Sequence, residues 1–193
     1  MARVRLVGLV VMVAALAGCR RAQPAVAAPP SPASVPAATS APAPAAPPHE
    51  GLPNFHQVAP GIYRGAAPTA QGLRSLKTMG VRTIIDLRIE KARKAEQKTA
   101  EAMGFKWIGL PMGREAPKPK QVELFLATLS KAPAEPVFVH CQHGADRTGC
   151  MLGLYRVKVQ HWTFAQTWAE MRKYGFKPHL KELKATVEKA AKP

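Results

Sequence analysis

The sequence predicts an α/β domain: a mostly parallel sheet of four or five strands with helices packed on both faces. Three observations predict it. From residue 61 onward short β-rich runs alternate with segments of helical period, the pattern of parallel strands joined by crossover helices. The run Pro136-Val137-Phe138-Val139-His140 is compact, apolar and bounded by Pro, as suits a central strand buried on both faces. Glycines 80, 104 and 175 stand where helical segments should stop.

Gly61-Ile62-Tyr63-Arg64-Gly65 reads as a short strand. Pro68-Thr69 then opens a helix with Leu73, Leu76 and Met79 on one face. Val81 to Asp86 is β-rich, Lys91 to Met103 is a run of good helix formers, and Phe105 to Ile108 is a further strand. Residues 109–119 carry three prolines and two glycines and must be an exposed loop. A helix over 121–129 leads to the strand at 136–140, a polar loop at 141–147 and a helix from Thr148 to about Val159. Thr163-x-x-Gln166 is a capping box for a helix burying Phe164, Trp168 and Met171. Leu180, Leu183 and Val187 mark a final amphipathic helix.

This domain occupies residues 51–193 of the 193, a length at which a single independently stable core is expected. Residues 20–50 hold 9 Pro and 11 Ala and bury no core; they read as an extended spacer. The whole chain carries a net +16. Setting aside Arg3, Arg5, Arg20, Arg21 and Glu50 leaves the domain 24 basic against 11 acidic residues, a net +13. Such a field favours anionic ligands. No basic run interleaved with aromatics is present, which argues against nucleic acid.

Residues 1–18 combine a positive start, MARVR, with an apolar stretch of about a dozen residues, the layout of a secretory signal. Leu16-Ala17-Gly18-Cys19 resembles the bacterial lipobox. That resemblance implies lipidation of Cys19, attachment to a membrane through acyl chains, and a location in the cell envelope with 19–50 as lipidated Cys and tether. Inner or outer membrane stays open, since Arg20 gives no clear retention signal.

The chemistry is concentrated in His140-Cys141-Gln142-His143-Gly144-Ala145-Asp146-Arg147-Thr148-Gly149. A loop with five residues between Cys and Arg can curl its backbone N–H groups inward, and the helix that follows adds partial positive charge. The product is a cradle for a tetrahedral dianion, with Gln142, His143, Gly144, Ala145 and Thr148 as phosphate-binding positions. Cys141 would be held largely as thiolate, because such surroundings lower a thiol from about 8.5 to roughly 3.5–7.5. Arg147 offers a planar fork for two phosphate oxygens. Thr148 can offer a hydroxyl to the sulfur, and His140 orients the loop. Cys150, in the apolar run CMLGL, reads as a small buried thiol, with a protective disulfide to Cys141 as the alternative.

HCQHGADRTG resembles the H-C-x(5)-R-[ST]-G signature of cysteine-based protein tyrosine phosphatases, and YRGAAPTAQGLRSLKTMGVRTIIDLR resembles the opening of bacterial and plant-fungal atypical dual-specificity phosphatases. The resemblance covers most of 55–190. It implies a cysteine-phosphatase fold, a cysteinyl-phosphate intermediate, a phosphorylated protein or small phosphoester as substrate, and no cofactor or metal.

The departure concerns the general acid. Relatives place an Asp in the loop after the third strand, whereas 109–119 contains only Glu115. Asp86, which should open onto the active-site edge, and Asp146, inside the loop, are the other candidates. Asp86 could instead pair with Arg88, and Asp146 could instead shape the loop. Ala145 stands where some inositide-directed relatives carry Lys. Arg64 and Arg88 could widen the positive field. Two other readings stay open: a catalytically weak phosphate- or phosphoprotein-binding module, and a basic envelope scaffold.

Overall fold

The computed structural model describes residues 49–192. The signal at 1–18, Cys19 and all but the last residues of the spacer lie outside them. Among the described residues no helix is long and apolar enough to cross a membrane.

Five strands form one sheet: β1 (His56–Ala59), β2 (Ile62–Gly65), β3 (Thr83–Asp86), β4 (Lys106–Gly109) and β5 (Val137–His140). Their order is β1-β2-β5-β3-β4, with β1 antiparallel to β2 and every other pair parallel. Six helices join them: α1 (Ala70–Thr78), α2 (Glu90–Ala102), α3 (Pro119–Leu129), α4 (Asp146–Lys158), α5 (Phe164–Lys173) and α6 (Lys181–Ala190). The predicted α/β architecture is therefore present.

Alternation along the strands divides the core in two. Ile84 and Phe138 face α1 and α2, where they meet Leu73, Leu76, Ala100 and Phe105. Ile85, Val137 and Val139 face the other way, against Phe125, Leu129, Met151, Leu152, Met171 and Val187. Period-two side chains on a sheet covered on both faces produce this split. Helix α4 is buried from Thr148 to Val157, as expected of a helix enclosed by α3, α5 and α6.

Beyond shifts of one or two residues at element ends, such as α3 starting at Pro119, two differences from the sequence expectation bear on the site. Strand β1 was not predicted, because HQVA holds one large apolar residue and its burial is partial. Its only signal is Pro60-Gly61, a turn pair that joins it to β2. Helix α4 starts at Asp146, two residues before Thr148, because the amide of Gly149 already donates to the carbonyl of Ala145 at 2.8 Å. Asp146 and Arg147 thus sit in a helical first turn and are not part of the loop.

Candidate active site

Parallel register brings Gly65, Asp86, Gly109 and His140 to one edge of the sheet, the edge where open α/β sheets bind ligands. The loop 141–145 leaves β5 there and runs into α4. Its carbonyls are drawn outward one after another. Gln142 accepts from the amide of Ala67 at 3.4 Å, His143 from Asn54 Nδ2 at 3.0 Å, and Gly144 from Arg64 Nη2 at 2.7 Å. With the carbonyls committed outside, the amides are free to face the centre. Gly144 has φ 68°, and a Cβ there would lie 2.4 Å from the Gly65 backbone, so the tight curl requires glycine.

Cys141 sits at the base of this loop, 2 % exposed. Burial pushes the Cys141 thiol up, but the hydroxyl and amide of Thr148, the charge of Arg147 and the amide of His143 outweigh it and hold the thiol below its ordinary value. The expected partners of the sulfur, Arg147 and Thr148, are thus brought to it. Cys150 is free and fully buried, and burial alone pushes its thiol up to about 12. Cys150 is thus a small buried thiol, with no disulfide to Cys141 in the structure.

Arg64 is where sequence reasoning was furthest off. Expected as part of a surface field, it is 1 % exposed. Its guanidinium lies 4.2 Å over the Tyr174 ring and carries the Gly144 carbonyl. Burial pushes it down to about 10, still far above neutrality, so it acts as a cation beneath the loop. Nothing in the period of β2 marks it. Asn54, at φ 51°, ties the His143 and Tyr174 carbonyls together and was also missed.

Asp86 requires a correction. It was expected to open onto the site as a possible acid, but it is fully buried and committed to Arg88, which donates its amide, Nε and Nη2 to the carboxylate at 2.8 to 3.1 Å. Arg88 also donates to Glu96 at 2.6 Å. Arg88 is thus turned inward and does not widen the surface field. Asp86, Glu96 and His140 bring three possible ligand atoms within 4.8 Å of one another. The Arg88 guanidinium already supplies the cation between the carboxylates, so the donor set does not fit a metal ion.

A pocket of about 340 Å³ opens beside the loop and is lined by His143, Asp146 and Arg147 together with Arg114, Lys177 and His179. Asp146 also accepts from the amide of Lys177 at 2.8 Å, so it both shapes the neighbouring segment and faces the pocket. Gly113 and Arg114 line it but Glu115 does not; the Glu115 carboxylate lies over Gly113. Gln142 is exposed at the rim and Ala145 is buried. No cation stands at Ala145, yet Arg114 and Lys177 bring positive charge from segments that carried no motif.

A thiol held low by inward amides and an arginine, at the C-terminal edge of a five-stranded α/β sheet, defines the class: the architecture is that of tyrosine and dual-specificity phosphatases. The chain belongs to the family described as "DSP-PTPase phosphatase fused to NAD+ Kinase", whose model matches residues 47–188. It is similar to the dual specificity protein phosphatase TpbA of Pseudomonas aeruginosa, at 30% identity over 124 residues, 64% of this chain and 55% of TpbA. It is also similar to inositol diphosphatase DSP3 of Arabidopsis thaliana, at 33% identity over 125 residues, 62% of this chain and 61% of that protein. The matched region thus spans about 55% to 61% of the length of these relatives. The crystal structure of P. aeruginosa TpbA superposes with a TM-score of 0.60 and 27% identity, covering 70% of this chain and 84% of that one. The catalytic core of the S. cerevisiae phosphatase SIW14, in complex with citrate, gives 0.59 and 25%, covering 71% and 85%.

Proposed function

We propose that the protein is a phosphomonoester hydrolase working through a cysteinyl-phosphate intermediate. The observation that carries this reading is the lowered Cys141 thiol inside a loop whose carbonyls are pinned outward. The thiolate attacks phosphorus in line with the leaving oxygen, Arg147 and the inward amides hold the equatorial oxygens, and the P–O bond to the leaving group breaks. Water then attacks the phosphocysteine, releasing inorganic phosphate and the thiolate, with the Thr148 hydroxyl beside the departing sulfur.

Asp146 is the favoured acid and base, because it lines the pocket next to Arg147 while Asp86 is buried on Arg88 and Glu115 stands off the pocket. It gives its proton to the leaving oxygen and recovers one from the attacking water. His140 positions the loop from behind.

The substrate is a phosphoester on protein or on a small molecule. The rim cations Arg114 and Lys177 favour one carrying further anionic groups, which agrees with relatives named as inositol diphosphatases. The competing reading, a phosphate-binding module without turnover, would use the same cradle, and turnover separates the two.

The test is hydrolysis of p-nitrophenyl phosphate in the presence of chelator. Turnover by the native protein, lost in Cys141→Ser with oxyanion binding kept, supports the proposal. No turnover by reduced protein at any pH from about 4 to 8 would leave only binding. Tethering to the cell envelope through Cys19 is a separate proposal resting on the lipobox. Incorporation of labelled palmitate that disappears in Cys19→Ala supports it, and its absence from the native protein refutes it.

A further inference from the structure

The loop after β5 turns on consecutive peptide planes, each held from outside by its own donor. In a trans peptide the C=O of one residue and the N–H of the next point opposite ways, so an outward carbonyl aims the following amide inward. The Ala67 amide on the Gln142 carbonyl therefore sets the His143 N–H. Asn54 Nδ2 on the His143 carbonyl sets the Gly144 N–H, and Arg64 Nη2 on the Gly144 carbonyl sets the Ala145 N–H.

These planes serve different atoms. Burial opposes ionisation of Cys141, and Thr148, Arg147 and the His143 amide outweigh it. None of those groups lies in the plane that Asn54 holds. The Gly144 amide is directed to the space above the sulfur, where an oxyanion would sit.

Asn54 is built into its place. It stands just before β1 at φ 51°, a left-handed backbone that Asn adopts more readily than most side chains. Its amide donates to the carbonyls of His143 at 3.0 Å and Tyr174 at 3.4 Å, while Oδ1 lies 3.2 Å from His56 Nε2. A flipped amide would set Oδ1 against both carbonyls, so the partners fix its orientation. His56 Nε2 then carries the hydrogen and donates it to Oδ1. The imidazole packs against the Tyr174 ring with centroids 4.4 Å apart, and burial together with Arg64 and Lys173 pushes it below its ordinary value. Nε2–H donates in the neutral and the protonated ring alike, so the arrangement does not depend on the charge of His56.

We propose that Asn54, oriented by His56, is the positioning residue for the Gly144 amide, and that it sets the affinity of the cradle for phosphoryl oxygens separately from the ionisation of Cys141. It acts through the loop backbone. This rests on reading 141–147 as a phosphate loop, and its test needs no turnover.

The test pairs two readouts on the full chain: vanadate affinity by calorimetry and the pH midpoint of Cys141 alkylation by iodoacetamide. Asn54→Gly keeps the left-handed backbone without strain and removes the amide. Vanadate should bind about three- to tenfold more weakly, as one neutral hydrogen bond is lost, while the alkylation midpoint stays at its native value. Unchanged vanadate affinity would overturn the proposal, because water would then have replaced the amide. A midpoint that moves together with the affinity would also overturn it, since a general loosening of the loop disturbs sulfur and oxyanion alike. If Asn54→Gly does not fold, His56→Phe decides. Phe keeps a ring against Tyr174 but offers no hydrogen to Oδ1, so the amide can turn over; affinity should fall with the midpoint unmoved, and unchanged affinity there sinks the proposal. Native protein that binds no vanadate would overturn the phosphate-loop reading itself and this proposal with it, whereas the other contrary outcomes overturn only the role of Asn54.

Discussion

Replacing Arg64 by Met tests how the phosphate loop is held. Met preserves much of the apolar stem but removes the donor to Gly144 at 2.7 Å and the cation over Tyr174. A hydrogen bond to a charged group contributes about 1.5–3 kcal/mol and a desolvated cation–π contact about 0.5–2. Against these stands relief of the burial that pushes Arg64 down to about 10, since a buried cation is itself costly. The net loss should be about 2–3 kcal/mol, or roughly 6–12 °C in melting temperature for a domain of this size. The Gly144 carbonyl, freed from its partner, competes for the centre of the cradle. Because displacement of a site by about 1 Å costs on the order of 100-fold, kcat/KM should fall by about that factor, with vanadate binding weakened in parallel. Arg64→Lys should recover little, as an ammonium lacks the planar fork. Unchanged melting and vanadate affinity in Arg64→Met would refute the claim that Arg64 holds the loop.

Four further outcomes follow from the same geometry. Gly144→Ala, which places a Cβ against the Gly65 backbone at positive φ, should abolish oxyanion binding measured by calorimetry while the circular dichroism of the sheet persists. The acid limb of kcat/KM should lie below the ordinary range of a free thiol: a thiol lowered in the folded state ionises early, so activity rises through that lowered value, and the stabilisation gained from the thiolate is lost again as pH falls through it. Cys150, pushed up to about 12, should escape alkylation at pH values where Cys141 is fully modified, as peptide mass spectrometry would show; equal modification of both would contradict its burial. Asp146→Asn should lower turnover more on esters with poor leaving groups than on p-nitrophenyl phosphate, by about 10²–10⁴-fold, whereas Glu115→Gln should leave both nearly unchanged; the reverse pattern would move the acid to the loop at 109–119.

The parts of the site written in contiguous residues were legible, and those assembled across the fold were not. HCQHGADRTG holds the proposed nucleophile, the proposed phosphate clamp and the helix start in one stretch, and VFVH with the flanking glycine-stopped helices gives the sheet that presents them. Arg64 looks like an ordinary polar residue of a strand, 77 residues from Cys141 in sequence. Its place beneath the loop appears only when β2 lies beside β5. Asp86 shows the converse: its place at a strand end was foreseen, but whether a carboxylate there faces solvent or folds onto Arg88 depends on side-chain geometry that spacing does not encode. Lys177 and His179 belong to the segment between α5 and α6, which the Asp146 contact to the Lys177 amide ties to the pocket.

The central claim, that Cys141 carries the phosphoryl group, is tested most directly by trapping. Native protein mixed with a phosphoester, quenched in acid within one turnover and digested, should show phosphate on the peptide containing Cys141 and on no other. Turnover without any adduct on Cys141, or with the phosphate on another residue, would contradict the account.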